Sequence, residues 1–202
     1  SGSAHVFRRS DGSWRQQQKL AATDGNEDDE FGQSVALSAD GATALIGASE
    51  DEGPRGLFTG SAYVFTRSDG EWIQQQKLRA PDADDRDRFG FSISLSASGA
   101  TALITAPTDE NPNGENAGSA YVFRRSGGEW RPQQKLLAGD GDSEDFFGFS
   151  AALSADGSTA VLSASSDEDL NGRDAGSAYV FTRSNGEWSQ QQKLTATDGN
   201  EE

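Results

Sequence analysis

The sequence predicts an all-β fold made of β-propeller-type four-stranded antiparallel blades, three full blades plus a half blade. Three observations carry that expectation. A 58-residue unit recurs without insertion or deletion through the 202 residues. Each unit divides into four short apolar runs separated by turn signals. No stretch shows a helical period. The repeat is plain in Gly60-Ser61-Ala62-Tyr63-Val64-Phe65, which returns at 118–123 and 176–181 and, with His5 in place of Tyr, at 2–7. Trp14, Trp72, Trp130 and Trp188 stand at the same step, as do the four Gln-Gln-Lys-Leu segments ending at Leu20, Leu78, Leu136 and Leu194. Repeats of this length signal arrays of one supersecondary unit.

Residues 31–88 show one unit in order. Alternation over 31–38 predicts strand A, and Asp40-Gly41 is a two-residue hairpin signal. The apolar run 43–48 predicts strand B, buried on both faces. A polar loop, 49–59, leads to strand C at 61–67. Asp69-Gly70 is a second hairpin signal before strand D at 72–78, and an acidic loop, 80–88, leads to the next unit. The expected boundaries are 1–28 for a half blade of strands C and D, then 29–86, 87–144 and 145–202 for three blades of one continuous repeat domain. A β-solenoid is the competing all-β repeat, but its rungs are shorter and carry fewer hairpins.

Composition narrows the function. There is no Cys, so neither disulfides nor thiolate chemistry is available, and no apolar run approaches the roughly 20 residues that span a membrane. The residues hold no signal-peptide pattern. A net charge of −16 argues against nucleic acid and anionic membrane surfaces as partners. The 17 basic residues include only 4 Lys, and scarce Lys with abundant acid resembles halophilic composition. His5 is the only histidine and sits at a repeat position otherwise held by Tyr, which marks it as a repeat variant and not a base. Without Cys or a second His the usual nucleophile–base pairs are missing, and the carboxylates lie in polar runs where no apolar pocket would raise one pKa for glycosidase work. A non-enzyme is expected. The recurrent Trp residues fit blade packing better than a carbohydrate platform.

Phe31-Gly32, Phe89-Gly90 and Phe147-Gly148, with Thr105-Ala106-Pro107 and the partial matches Gly47-Ala48-Ser49 and Ser163-Ala164-Ser165, resemble the FG-GAP repeats of integrin α-subunit propellers; the Gly-Ser-Ala-Tyr-Val-Phe…Trp…Gln-Gln-Lys-Leu part looks like their prokaryotic branch. The resemblance covers essentially the whole chain. It implies an extracellular or cell-surface propeller used for adhesion or protein binding. It also implies a calcium loop, D-x-D-x-D-G, between the first two strands of a blade. Here that connection is Ala39-Asp40-Gly41 and its copies at 97–99 and 155–157, and a tight hairpin cannot wrap a cation with six or more oxygens.

Antiparallel order puts the B–C and D–A loops on one side of the blades. Those loops hold 26 of the 33 acidic residues and only 4 of the 17 basic ones, so the charge is expected to be polarised towards a face for cations or a basic partner. Two B–C loops, Asp109-x-Asn111-x-Asn113-Gly114 and Asp167-x-Asp169-x-Asn171-Gly172, fit a D-x-[DN]-x-N-G spacing that suits Ca²⁺, although Ala117 and Ala175 stand where a terminal acid belongs. A solvated acidic turn is the alternative. The D–A loops repeat Asp24-x-Asn26-x-x-Asp29, Asp82-x-Asp84-x-x-Asp87 and Asp140-x-Asp142-x-x-Asp145, which fit either cation ligands or caps on the turn into strand A, with capping favoured.

Propellers close with about four to eight blades. Three blades and a C–D half suggest a fragment of a longer propeller, an engineered repeat protein, or a protomer that closes by self-association. Two chains would hold seven blade-equivalents, but both spare halves are C–D pairs, so exchange of complementary halves fails. A binding or adhesion module and a self-assembling structural repeat are the two functional classes expected.

Overall fold

The computed structural model describes residues 2–168 and 175–196. The half blade is the hairpin β1 (Ala4–Ser10) and β2 (Ser13–Leu20). Blade 1 is β3 (Val35–Leu37), β4 (Thr43–Ala48), β5 (Ser61–Ser68) and β6 (Glu71–Leu78). Blade 2 is β7 (Ile93–Leu95), β8 (Thr101–Ala106), β9 (Ser119–Ser126) and β10 (Glu129–Leu136). Blade 3 is β11 (Phe147–Leu153), β12 (Thr159–Ala164), β13 (Ser177–Ser184) and β14 (Glu187–Leu194). Each blade is an antiparallel meander in sequence order. The predicted hairpins form: Asp69 and Gly70 both take positive φ, 53° and 90°, as a primed turn requires. In the A–B turn Asp40 accepts hydrogen bonds from the Ser38 hydroxyl and the Ala42 N–H, which leaves no cation loop there.

Strand A departs from expectation in two blades. The ladder starts at Val35 and Ile93, not at the Phe-Gly pair. Gly90 sits at φ 95°, and a Cβ there would lie 2.3 Å from the Ser61 carbonyl oxygen, so the chain turns tightly against the preceding blade before it can extend. The Gly90 N–H bonds the carbonyl of Thr105 in β8, ahead of the paired register that starts at Ile93. Phe89, fully buried, sends its ring edge-on to Tyr121 and Phe123 at centroid distances of 5.5 and 5.8 Å. The FG pair is therefore a corner that anchors strand A from outside the ladder.

The blades stack through their faces. Leu45, Val64 and Leu78 of blade 1 pack against Phe89, Ile104, Tyr121 and Trp130 of blade 2. The same pattern joins blade 2 to blade 3, and the half blade to blade 1. The glutamine run makes this two-sided packing possible. In β6 the register slips so that Phe65 opposes Gln74 and Val64 opposes Gln76, leaving Gln75 as an extra residue. Cross-strand partners share a face. Trp72 and Gln74 thus face the preceding blade, while Gln76 and Leu78 are turned to the following one. The Gln76 amide then donates to the Trp130 carbonyl at 2.8 Å and accepts from the Trp130 N–H at 2.9 Å. Gln18 does the same for Trp72, and Gln134 for Trp188. A side-chain amide so caps each outer strand edge, which would otherwise offer unpaired backbone groups.

Candidate functional site: the interblade carboxylate–lysine clusters

In blades 1 and 2 the B–C loop is tied to the D–A loop that follows it. The N–H groups of Arg86, Arg88 and Phe89 bond the carbonyls of Leu57, Phe58 and Thr59, and those of Glu144, Phe146 and Phe147 bond Glu115, Asn116 and Ala117. Between one D–A loop and the next blade's B–C loop lies a cleft. The larger, about 760 Å³, is bordered by Asp82, Asp84, Asp85, Asp87, Asp109 and Glu110, among others. The same cleft one blade on, about 460 Å³, is bordered by Asp140, Asp142, Glu144, Asp145, Asp167 and Glu168, with Lys193.

At the floor of each cleft one lysine bridges two aspartates from different blades. Lys135 Nζ lies 2.7 Å from Asp82 and 2.9 Å from the buried Asp109. Lys77 holds Asp24 and Asp51 at 2.7 and 2.8 Å, and Lys193 holds Asp140 and Asp167 at 3.0 and 2.7 Å. Each buried aspartate also accepts a tyrosine hydroxyl, from Tyr63 at 3.2 Å, Tyr121 at 3.1 Å and Tyr179 at 2.9 Å. Ser119 adds a short hydrogen bond to Asp109. The lysine also sits over the tyrosine ring, 5.3 Å from its centroid at Lys135.

Electrostatics follow this geometry. Burial opposes the charge on Lys135, but the bonds to Asp82 and Asp109 outweigh it and hold its pKa above the ordinary value. Partial burial likewise opposes ionisation of Asp24, Asp82 and Asp140, and the paired lysine outweighs it, so their carboxyls lie below the ordinary range. Burial pushes the Tyr121 hydroxyl far up, reinforced by Asp109 and Asp82, so it stays protonated as a donor.

The sequence-predicted residues separate into distinct roles. Asp24, Asp82 and Asp140 clamp lysine. Asp29, Asp87 and Asp145 accept the backbone N–H of Asn26, Asp84 and Asp142, at 2.6 Å for Asp87 and 2.7 Å for Asp145, and so cap the turn as favoured. Asp109 and Asp167 are buried on lysine and tyrosine. Asn111 turns inward: its Oδ1 accepts the Asn113 N–H and its Nδ2 donates to the Gly118 carbonyl, both at 2.9 Å. Asn113 reaches the Ala138 carbonyl at 2.8 Å. Of the oxygens in that spacing, Asn111 Oδ1 thus meets the loop's own amide and Asp109 meets Lys135. Asp169 and Asn171 lie outside the described residues. Among the described residues no three His, Cys, Asp or Glu side chains gather as a metal-ligating group. Sequence reasoning missed Asp51, the lysines and the tyrosines. The signal was present: all four lysines of the chain stand at one repeat position, 19, 77, 135 and 193.

Asp87 gives a pH signature. Burial, with Asp109 nearby, pushes its carboxyl up to about 7 against the pull of the Asp84 N–H. The folded state therefore holds a proton that the unfolded chain releases near pH 4, so this group's contribution to stability falls as pH rises from about 4 to 7. Asp87→Asn keeps an acceptor for the Asp84 N–H and removes the buried charge. Thermal melts are expected to show the variant more stable than the parent at pH 8, on the order of 2 kcal/mol, with the gain shrinking through pH 5 and gone below about pH 4. An equal gain at both pH values would contradict the assignment.

The comparisons agree with this architecture. The FG-GAP repeat family model matches residues 14–65, 72–123 and 130–181. No curated protein matches in sequence. Among solved structures, that of Saccharomyces cerevisiae Sqt1 superposes with a TM-score of 0.53 at 9% identity, over 87% of this chain and 38% of the Sqt1 chain. The present chain thus spans well under half of Sqt1's length, and at that identity the likeness concerns fold alone. With the repeat, the four-stranded blades and the three family matches in agreement, the chain belongs to the FG-GAP repeat family.

Proposed function

We propose that the chain is a non-catalytic binding module of an extracellular or cell-surface protein, and that it takes a basic protein partner on the face formed by its B–C and D–A loops. The observation that carries this reading is the recurrence of the acidic cleft between successive blades. In each, the lysine neutralises the buried floor, while the rim keeps solvent-facing acids: Asp84, Asp85 and Glu110 in one, Asp142, Glu144 and Glu168 in the next. A basic segment lying across neighbouring blades would meet the same charge pattern at each step, which favours steering and register more than raw affinity. Halophilic acidity alone would spread over the whole surface; here 26 of 33 acids lie in one set of loops.

The experiment compares two neutralised variants of equal charge change against an arginine-rich peptide and a peptide of the same length with zero net charge. One carries Asp84→Asn, Asp85→Asn, Asp142→Asn and Glu144→Gln. The other carries Asp40→Asn, Asp69→Asn, Glu129→Gln and Glu187→Gln on the opposite turns. Calorimetry at low salt should show the first losing roughly tenfold in affinity, about 1.4 kcal/mol, and the second close to the parent. Equal losses in both would mean that net charge and not this face drives binding. Repeating the titration with calcium and with chelator tells whether a divalent cation competes for the same rim.

A further inference from the structure

Three of the four basic residues in the B–C and D–A loops belong to one loop pair. Arg55 lies in the B–C loop of blade 1, and Arg86 and Arg88 lie in the D–A loop that runs on to blade 2. Arg79 follows the end of β6 beside them. One repeat on, the same four positions hold Asn113, Glu144, Phe146 and Leu137. Arg86 and Arg88 make loose, exposed pairs with Asp85 and Glu50 at 3.7 and 3.6 Å. Arg55 and Arg79 instead border a cavity of about 190 Å³ with apolar walls of Pro54, Ala80, Pro81 and Ala83. These loops lie in the interior of the sequence, with the half blade before them and blade 2 after. Arg79 is surplus to the lysine clamp. Asp51 takes Lys77 at 2.8 Å and Arg79 at 3.3 Å, whereas Asp109 is held by Lys135 with Leu137 at the position of Arg79. A guanidinium carries five N–H donors. Arg79 directs three to the Ser61 hydroxyl, Asp51 and the Glu52 carbonyl, and its Nη1 has no partner among the described residues. Arg55 directs one, from Nη1 to the Ala83 carbonyl at 3.2 Å, and has no ion pair among the described residues. In blade 2 the Asn113 amide at this position closes on the Ala138 carbonyl at 2.8 Å.

We propose that this cavity binds an alkyl carboxylate presented by a polypeptide, with the carboxylate on Arg55 and Arg79 and its short stem between Pro54 and Pro81. Planar guanidinium forks match a carboxylate bidentately. The proline and alanine walls suit methylenes and offer a polar anion nothing. The volume is below the roughly 300–1,000 Å³ of sites for drug-sized ligands, so the occupant is a single side chain or a chain end. The surroundings favour one negative charge over two. Asp51 sits on Arg79, and Asp85 accepts the Leu57 N–H at 2.8 Å, so a phosphate dianion would meet stronger repulsion than a carboxylate. The site shares a face with the acidic clefts but uses none of their rim acids as ligands. On a partner that is basic along its length, one acid seated here would fix its register and direction.

The test is a titration of the ¹⁵N-labelled 202-residue chain with butanoate at low salt, followed by the arginine Nε–H and backbone amide resonances. The Arg55 and Arg79 Nε–H signals and the Ala83 amide should move together on one saturable curve. Acetate, which lacks two methylenes, should bind roughly fivefold more weakly. Arg55→Gln should weaken butanoate by at least roughly tenfold, read at Arg79, and Arg55→Lys should recover only part because the fork is lost. Arg67→Gln, an exposed arginine on the opposite turns, should change nothing. Two peptides with the sequence Ala-X-Ala separate the sources. One has blocked ends and Glu at X; the other has Gln at X and a free C-terminal carboxylate. Binding of the first assigns the site to a glutamate side chain, and of the second alone to a chain end. Non-saturating shifts, equal shifts at Arg67, binding of acetate or inorganic phosphate as tight as butanoate, or an Arg55→Gln protein that binds as the parent does would each overturn the proposal. The rim-neutralised variant described under the proposed function should bind butanoate at least as well as the parent, and Arg55→Gln should bind the arginine-rich peptide no more weakly, so the two readings fail separately.

Discussion

Trp130→Ala is expected to lower stability by about 3–5 kcal/mol, the usual cost of removing a buried aromatic side chain, and to lower Tm by roughly 10 °C. Trp130 is 3% exposed and belongs to the cluster that joins blade 1 to blade 2, beside Leu45, Leu78 and Phe89. Truncation opens a cavity where the two sheets meet, and the surrounding strands cannot collapse into it while the Gln76 staple holds the Trp130 backbone in place. The repeat supplies its own control. Trp14 has the same neighbours in sequence but is 68% exposed, so Trp14→Ala in dilute solution should change stability by less than about 0.5 kcal/mol. Thermal or urea unfolding of the two variants side by side is the measurement. Similar losses would mean that the tryptophan acts within its own hairpin and not through the interface.

The second large effect is at the lysine clamp. Asp109→Ala should cost about 3 kcal/mol, at the lower end for breaking a buried ion pair because Lys135 keeps Asp82 and some contact with water. The loss has two parts. Lys135 is left with one carboxylate instead of two, and the hydroxyls of Ser119 and Tyr121 lose their shared acceptor in a buried site. Asp109→Asn keeps an acceptor while removing the charge, so it should cost less than Asp109→Ala. The order Ala worse than Asn separates the hydrogen-bonding share from the ionic share in urea unfolding. If Asn proved as costly as Ala, the charge alone would account for the site. Because Asp109 is nearly dry, moderate salt should leave the loss almost unchanged, unlike a surface pair.

These clusters explain why an acidic repeat protein keeps so few lysines and places all of them alike. Lys77, Lys135 and Lys193 each neutralise two aspartates from neighbouring blades, so each of these three junctions carries an apolar layer, a glutamine staple and an ionic clamp.

The sequence by itself determined the unit, its four strands, the tight hairpins and the packing role of Trp72, Trp130 and Trp188. Those features follow from local rules: alternation, turn chemistry at Asp40-Gly41 and Asp69-Gly70, and a strict 58-residue step that forces equivalent residues into equivalent places. It also left the aspartates of the D–A loops as either cation ligands or caps, with capping favoured. Only the tertiary structure decided what the aspartates do. Asp82 and Lys135 are 53 residues apart and Asp109 and Lys135 are 26 apart, so no local pattern could pair them. A D-x-N-x-N-G spacing reads the same whether its oxygens face a cation or the loop's own amides, and nothing local could show that blade packing brings lysine and tyrosine to Asp109. Strand A was shortened in two blades for a related reason: Gly90 turns where a Cβ would lie 2.3 Å from the Ser61 carbonyl oxygen, a constraint that exists only once two blades are stacked.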